Sequence, residues 1–309
     1  MNLQQELNKA GGFKNLELLA KEVVEGFIAG MHKSPFHGFS AEFAEHKIYN
    51  QGESTKHIDW KLYAKTDRLY TKRYDEETNL RCHLIIDNSS SMHYPDNAGT
   101  TIDNLNKIAF SALAGASIMH ILKKQRDAVG LSIYSDAYDF YAPEKGSERH
   151  HQMLLHKLNE VVVSKPETKT TETYRYLHQI AEKIHRRSLI FVFTDMFQTA
   201  EDDEKLFEAL RHLKHNKHEV VLFHVFDKEK ELTFNFDNRP KRFIDIETGD
   251  YINLYADNVK DNYENAVKEY FNSLKLRCGQ YRIKYVEADI NAGFNGILTA
   301  YMIERQKFV

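Results

Sequence analysis

The sequence predicts an α/β protein built on a doubly wound, mostly parallel sheet with N- and C-terminal extensions. Three observations carry this. Short apolar runs recur at residues 82–86, 129–134, 188–193 and 220–226, and continuous apolar character is what a strand buried on both faces of a parallel sheet requires. Stretches of helical periodicity separate these runs, the strand-helix rhythm of wound α/β architecture. Two of the runs end in an aspartate, Asp87 and Asp195, and in such sheets ligands gather at the carboxyl ends of the strands.

From the N-terminus, Leu16, Leu19, Ala20, Val23, Val24, Phe27, Ile28 and Met31 repeat at three- and four-residue steps, predicting an amphipathic helix that ends before Ser34-Pro35. Residues 60–74 alternate basic and aromatic side chains and read as edge strands with solvated lysines, or as a basic docking surface. Residues 103–124 form a long helix with an acidic start and a basic end. Residues 129–134 and 138–141 pair around a turn; helices follow at 148–163 and 173–185. A helix at 202–216 carries Glu201, Asp202, Asp203 and Glu204 at its start and Arg211, Lys214 and His215 near its end. Beyond Asp227 come short strands at 232–236 and 242–246, a helix at 258–276, a strand at 282–286 and a terminal helix.

The chain has 309 residues, 42% hydrophobic and 28% charged, enough to bury a sizeable core. Its 42 basic and 45 acidic side chains leave a net charge of −3, which creates no field to collect nucleic acid. Cys82 and Cys278 make no disulfide framework and read as free thiols in a reducing compartment. There is no basic start with an apolar run behind it and no long apolar stretch, so the expectation is a cytoplasmic protein without a transmembrane segment.

The chemistry concentrates where the apolar runs end. Asp87 is followed at two-residue steps by Ser89 and Ser91, Asp195 closes a second run, and Thr170 and Thr171 precede a helix. Carboxylates, hydroxyls and water suit Mg²⁺, with Mn²⁺ or Ca²⁺ as alternatives. A dication held by so few charged ligands stays locally positive and would attract a partner's Asp or Glu. The plain alternative is an ordinary polar turn, since Asp-Asn-Ser-Ser-Ser bonds readily to its own backbone. The phosphate-loop, nucleophile-elbow and zinc signatures GxxxxGK[ST], GxSxG, HExxH and CxxC are absent. His212, His215 and His218 fall where a helix ends, and His150-His151 reads as surface.

Residues 34–92, with Gly38, Glu42-Phe43, Tyr49, Gly52, Ile58-Asp59-Trp60 and Glu76-Glu77-Thr78, resemble the domain of unknown function fifty-eight family. Asp127-Ala128-Val129-Gly130, Arg187-Ser188-Leu189 and Asp245 with Glu247-Thr248-Gly249 extend the likeness along most of the chain. Lys47, Glu53 and Lys56 stand where that family usually has arginine, aspartate and arginine, and lysine lacks arginine's bidentate fork. The resemblance implies a von Willebrand factor A-like, Rossmann-type fold whose metal-ion-dependent adhesion site is Asp87, Ser89, Ser91, Thr171 and Asp195, with Thr170 as the alternative threonine. It also implies a MoxR-type AAA+ ATPase as partner.

The expected organisation is a family-specific extension at 1–79, the von Willebrand factor A-like domain at 80–228 and an α+β extension at 229–309. The expected function is a non-enzymatic, metal-dependent adaptor or co-chaperone. A scaffold with an empty metal site, binding through residues 60–74, and a Mg²⁺-dependent hydrolase without an obvious general base are the rivals.

Overall fold

In a computed structural model the described residues are 16–31, 46–48, 60–72, 80–95, 104–135, 139–164, 173–196, 200–237, 239–245 and 249–308. The central sheet contains β3 (Arg81–Asp87), β4 (Ala128–Tyr134), β5 (Phe140–Lys145), β6 (Leu189–Thr194), β7 (Glu219–Phe226) and β10 (Lys284–Asp289). Their order across the sheet is β10-β7-β6-β3-β4-β5, with every pairing parallel except β4 with β5. Two antiparallel pairs stand apart: β1 (His46–Ile48) with β2 (Tyr70–Lys72), and β8 (Pro240–Ile244) with β9 (Tyr251–Tyr255). The protein is therefore a mixed α/β structure on a mostly parallel sheet, as the strand-helix rhythm predicted.

Helices cover both faces of that sheet. α1 (Leu16–Met31), α3 (Lys107–Lys124), α4 (Glu148–Val163) and α8 (Asn295–Arg305) share a core with Cys82, Leu84, Ile86, Leu131, Phe191 and Phe223. α5 (Thr173–Lys183), α6 (Ala200–His215) and α7 (Ala256–Gln280) enclose Ile85, Ile190, Val192 and Leu222 on the other face. Adjacent residues of one strand thus enter opposite cores, and both must be apolar. α3 is the most enclosed helix, with both Leu113 and Ile118 fully buried. Its amphipathic pattern is weak for that reason.

The motif Asp127-Ala128-Val129-Gly130 has two physical roles. Asp127 is buried; its Oδ1 accepts from the Leu80 N–H at 3.3 Å and its Oδ2 from Arg305 Nη2 at 3.0 Å, tying β3 and β4 to the last helix. Gly130 leaves room for a neighbouring side chain: a Cβ there would lie 2.5 Å from His83 Nδ1 and 2.9 Å from the Ala142 carbonyl.

Several expectations are corrected. Residues 60–66 form the helix α2 (Trp60–Thr66), not an edge strand. Trp60 and Tyr63, one turn apart, meet edge to face at 6.2 Å, and Asp67 at φ 55° ends the helix before the three-residue strand β2. Rings three residues apart would face opposite sides of a strand but share one face of a helix, as Trp60 and Tyr63 do. The strand expected at 232–236 does not form: a π-helical turn, Lys228–Leu232, leads into irregular backbone there. Asp227 caps this turn, its Oδ1 accepting from the N–H groups of Glu229 and Lys230. His150 and His151 are buried rather than at the surface, His150 Nε2 lying 2.9 Å from the Val129 carbonyl.

Candidate functional site

The chain runs from β3 to β4 on one side of the sheet and later places β6 on the other side of β3. The loops leaving β3 and β6 therefore diverge, and the crevice between them is the topological switch point of a wound sheet. Asp87 is the last residue of β3 and Asp195 follows β6 directly. Both are buried, at 2% and 3% exposure.

Asp87 is held at both oxygens. Oδ1 accepts from the Ser89 N–H at 2.9 Å, and Oδ2 from the Thr194 hydroxyl at 2.8 Å. Ser89 Oγ and Ser91 Oγ lie 3.1 Å apart. The loop continues as a 3₁₀ turn, Ser90–His93, in which His93 Nε2 is 3.0 Å from Asn88 Oδ1. Thr194 was not singled out from the sequence, where it reads only as the end of a strand. On the Asp195 side, Met196 takes φ 57°, and its carbonyl accepts from the Tyr270 hydroxyl. Such a left-handed residue persists where its surroundings over-determine it.

Burial, followed by the charge of Asp195, pushes the Asp87 carboxyl up to about 6, and the bonds from Ser89 and Thr194 only partly oppose the rise. Two buried carboxylates within range of each other's charge form a site where added positive charge is favourable. An octahedral Mg²⁺ shell places neighbouring oxygens roughly 3 Å apart, from bonds of ~2.1 Å. The Ser89–Ser91 separation of 3.1 Å matches that spacing. The Asp87 carboxylate offers about four lone-pair sites, more than the Ser89 N–H, the Ser89 hydroxyl and the Thr194 hydroxyl occupy, so the donor set fits the ion. Among the described residues, no three His, Cys, Asp or Glu side chains converge as metal ligands; hydroxyls would have to complete the shell. Thr170 and Thr171 lie outside the described residues.

Asp195 already has a cation. Lys107 is 1% exposed, and its Nζ donates to Asp195 Oδ2 at 3.0 Å and to Glu231 Oε1 at 2.7 Å. Burial works to discharge the ammonium, but the charges of Asp195 and Glu231 prevail and hold its pKa above the ordinary lysine value. Glu231 is raised by its own burial, against the lowering influence of Lys107. Lys107 is also the first residue of α3, whose first turn contains no acidic residue. Asp103, the acidic start expected for this helix, lies outside the described residues. A lysine opening an apolar helix opposes the helix dipole, but with the helix expected from residue 103 the sequence offered no such signal for Lys107.

A second polar constellation lies near the other end of β3. His83 Nδ1 is 2.6 Å from Glu144 Oε1, and His83 Nε2 is 2.7 Å from Ser132 Oγ. The connectivity is that of a serine nucleophile with its base and orienting acid. However, His83 and Ser132 are both fully buried, and the Glu144 side chain is 0% exposed. A hydroxyl that no substrate can reach is structural, and this one links three strands. Burial acts against the Glu144 carboxylate, but its bond to His83 and that ring's charge outweigh it, leaving the pKa below the ordinary glutamate value.

Both cysteines are free and buried. Among the described residues, no helix is long and apolar enough to cross a membrane.

The family model described as "Protein of unknown function DUF58" matches residues 45–271. Uncharacterized proteins of Mycobacterium tuberculosis and Mycobacterium bovis are 23% identical over 146 residues, 47% of this chain and 44% of theirs. The chain thus spans less than half the length of these curated relatives. Among solved structures, the conserved hypothetical protein BatB from Bacteroides thetaiotaomicron has 15% identity and a TM-score of 0.44, over 74% of this chain and 98% of its own. An aerotolerance-related membrane protein from Bacteroides fragilis has 13% identity and a TM-score of 0.43, over 73% and 97%. Similarities this weak carry no argument about function. The family match covers well over half of the sequence, and the chain belongs to the DUF58 family.

Proposed function

We propose that this protein is a metal-dependent, protein-binding adaptor of von Willebrand factor A-like type. In this reading Asp87, Ser89 and Ser91 hold Mg²⁺ (or Mn²⁺ or Ca²⁺), Thr171 adds a hydroxyl, and Asp195 takes part directly or through water. A carboxylate from the partner completes the shell. The supporting observation is the meeting of two buried carboxylates and two hydroxyls 3.1 Å apart at the switch point of the sheet. The bound ion would supply a positive point that a partner's Asp or Glu can reach. This chain's residues would position it.

The role of adaptor or co-chaperone to a MoxR-type AAA+ ATPase rests on the family resemblance alone. A cytoplasmic setting is supported by the two free, buried cysteines. The test is calorimetric titration of Mg²⁺ and Mn²⁺ into the metal-free protein and into Asp87→Ala, followed by a pull-down of the ATPase with and without the ion. Saturable binding that Asp87→Ala loses, together with loss of ATPase capture, supports the reading. Capture that survives Asp87→Ala rejects it and favours the rival surface on α2, where Trp60 is 63% exposed beside Tyr63.

A further inference from the structure

Asp195 is contested. It stands at the strand ends beside Asp87, and its Oδ2 already accepts from the Lys107 ammonium at 3.0 Å. Lys107 is sealed from solvent and divides itself between Asp195 and Glu231. Glu231 is itself well anchored. Its Oε2 accepts from the Asp227 N–H at 2.7 Å, and its carbonyl accepts from the Tyr263 hydroxyl at 2.9 Å. The Tyr94 ring lies 6.0 Å from the same ammonium. The positive end of the α3 dipole disfavours a lysine here, so the two carboxylates are what keep the charge in place.

We propose that Lys107 is an internal cation that competes with a divalent ion for Asp195, and that the ion enters as the ammonium shifts wholly to Glu231. The inference rests on reading the Asp87–Asp195 crevice as a divalent-metal site, and adds what balances Asp195 when the ion is away. An ammonium and a dication on one carboxylate repel each other, so Lys107 weakens the site for divalent ions. Glu231 is a second carboxylate that keeps a negative charge beside the buried ammonium after the exchange. Because Glu231 belongs to the π-helical turn Lys228–Leu232, occupation of the site is felt there too. Lys107 is thus a positioning residue acting through Asp195.

The experiment titrates Mg²⁺ and Mn²⁺ into metal-free wild type, Lys107→Met, Lys107→Arg and Glu231→Gln, with thermal melts in the absence and presence of each ion. Lys107→Met is expected to bind about tenfold tighter or more, and Lys107→Arg, which keeps the charge, to stay within about threefold of wild type. Glu231→Gln is expected to bind more weakly, since an amide offers the ammonium no negative charge and leaves Asp195 as the carboxylate that holds it. Lys107→Met should also melt lower than wild type without metal and gain more on adding the ion. That thermal gain reads the same exchange if the metal-free variant is too unstable for calorimetry.

Wild-type binding with no tighter binding and no larger thermal gain in Lys107→Met overturns the inference and leaves the metal reading standing. Binding by Lys107→Met where wild type binds nothing supports the inference in its strongest form, a site closed by its own lysine, and removes the wild-type metal site. No binding and no thermal gain in either overturns both.

Discussion

Asp87 carries a cost that its neighbours do not remove. A buried carboxyl whose folded pKa of about 6 exceeds the ordinary value of 3.8 favours folding when protonated, and that contribution is lost as pH rises from about 4 through 6. Asp87→Asn removes the titration and can keep the bond from the Ser89 N–H. The metal-free variant is therefore expected to match wild type below pH ~4 and to be more stable above pH ~6, by on the order of 3 kcal/mol. Urea unfolding of both proteins across this range checks it; equal stability at every pH would mean that Asp87 is not penalised. The sign is informative, because a residue kept at a cost to the empty protein is expected at a binding site rather than in a purely structural turn.

At the scale of elements, the pairing of β3, β4 and β5 depends on a glycine. At Gly130 an added Cβ meets His83 Nδ1 at 2.5 Å and a backbone oxygen of β5 at 2.9 Å, so something must shift. Gly130→Ala is expected to destabilise by about 1–3 kcal/mol through overpacking. Gly279, inside α7, has nothing within 4 Å of an added Cβ, and Gly279→Ala is expected to stabilise by about 0.5–1 kcal/mol through helix propensity. Chemical denaturation of the pair separates a steric demand from a general preference for alanine. Glycine at residue 130 is visible in the sequence, but its reason is not, because the histidine it accommodates is 47 residues away on another strand.

For the molecule as a whole, the last helix is joined to the first central strand through Asp127. Arg305 Nη2 donates to Asp127 Oδ2 at 3.0 Å, and Asp127 Oδ1 accepts from the Leu80 N–H, so one carboxylate spans a sequence separation of 178 residues on one side and 47 on the other. Burial is the main influence on Asp127 and raises its pKa, against the lowering effect of Arg305. Arg305→Met leaves that carboxylate buried without its cation and is expected to cost about 3 kcal/mol. Adding Asp127→Asn should restore much of the loss, since an amide needs no counter-charge. Failure of the double variant to recover any stability in urea would show that Arg305 acts through packing instead.

The sequence by itself determined the α/β class, the identity of the buried strands and the placing of Asp87 and Asp195 at strand ends. These follow from local pattern: apolar runs, helical periodicity and the residue that closes each run. It also carried the family resemblance, including Asp127 and Gly130, without their reasons. It misread residues 60–66, where alternating basic and aromatic side chains outweighed the helical spacing of Trp60 and Tyr63, and it passed over β9, whose side chains are mostly exposed and show no apolar face. Only the tertiary structure decided that Lys107 neutralises Asp195, that Thr194 completes the hold on Asp87 and that Ser132 and His83 are sealed. Those contacts join residues 49 to 124 positions apart, and no local pattern encodes which buried charges meet when the sheet closes.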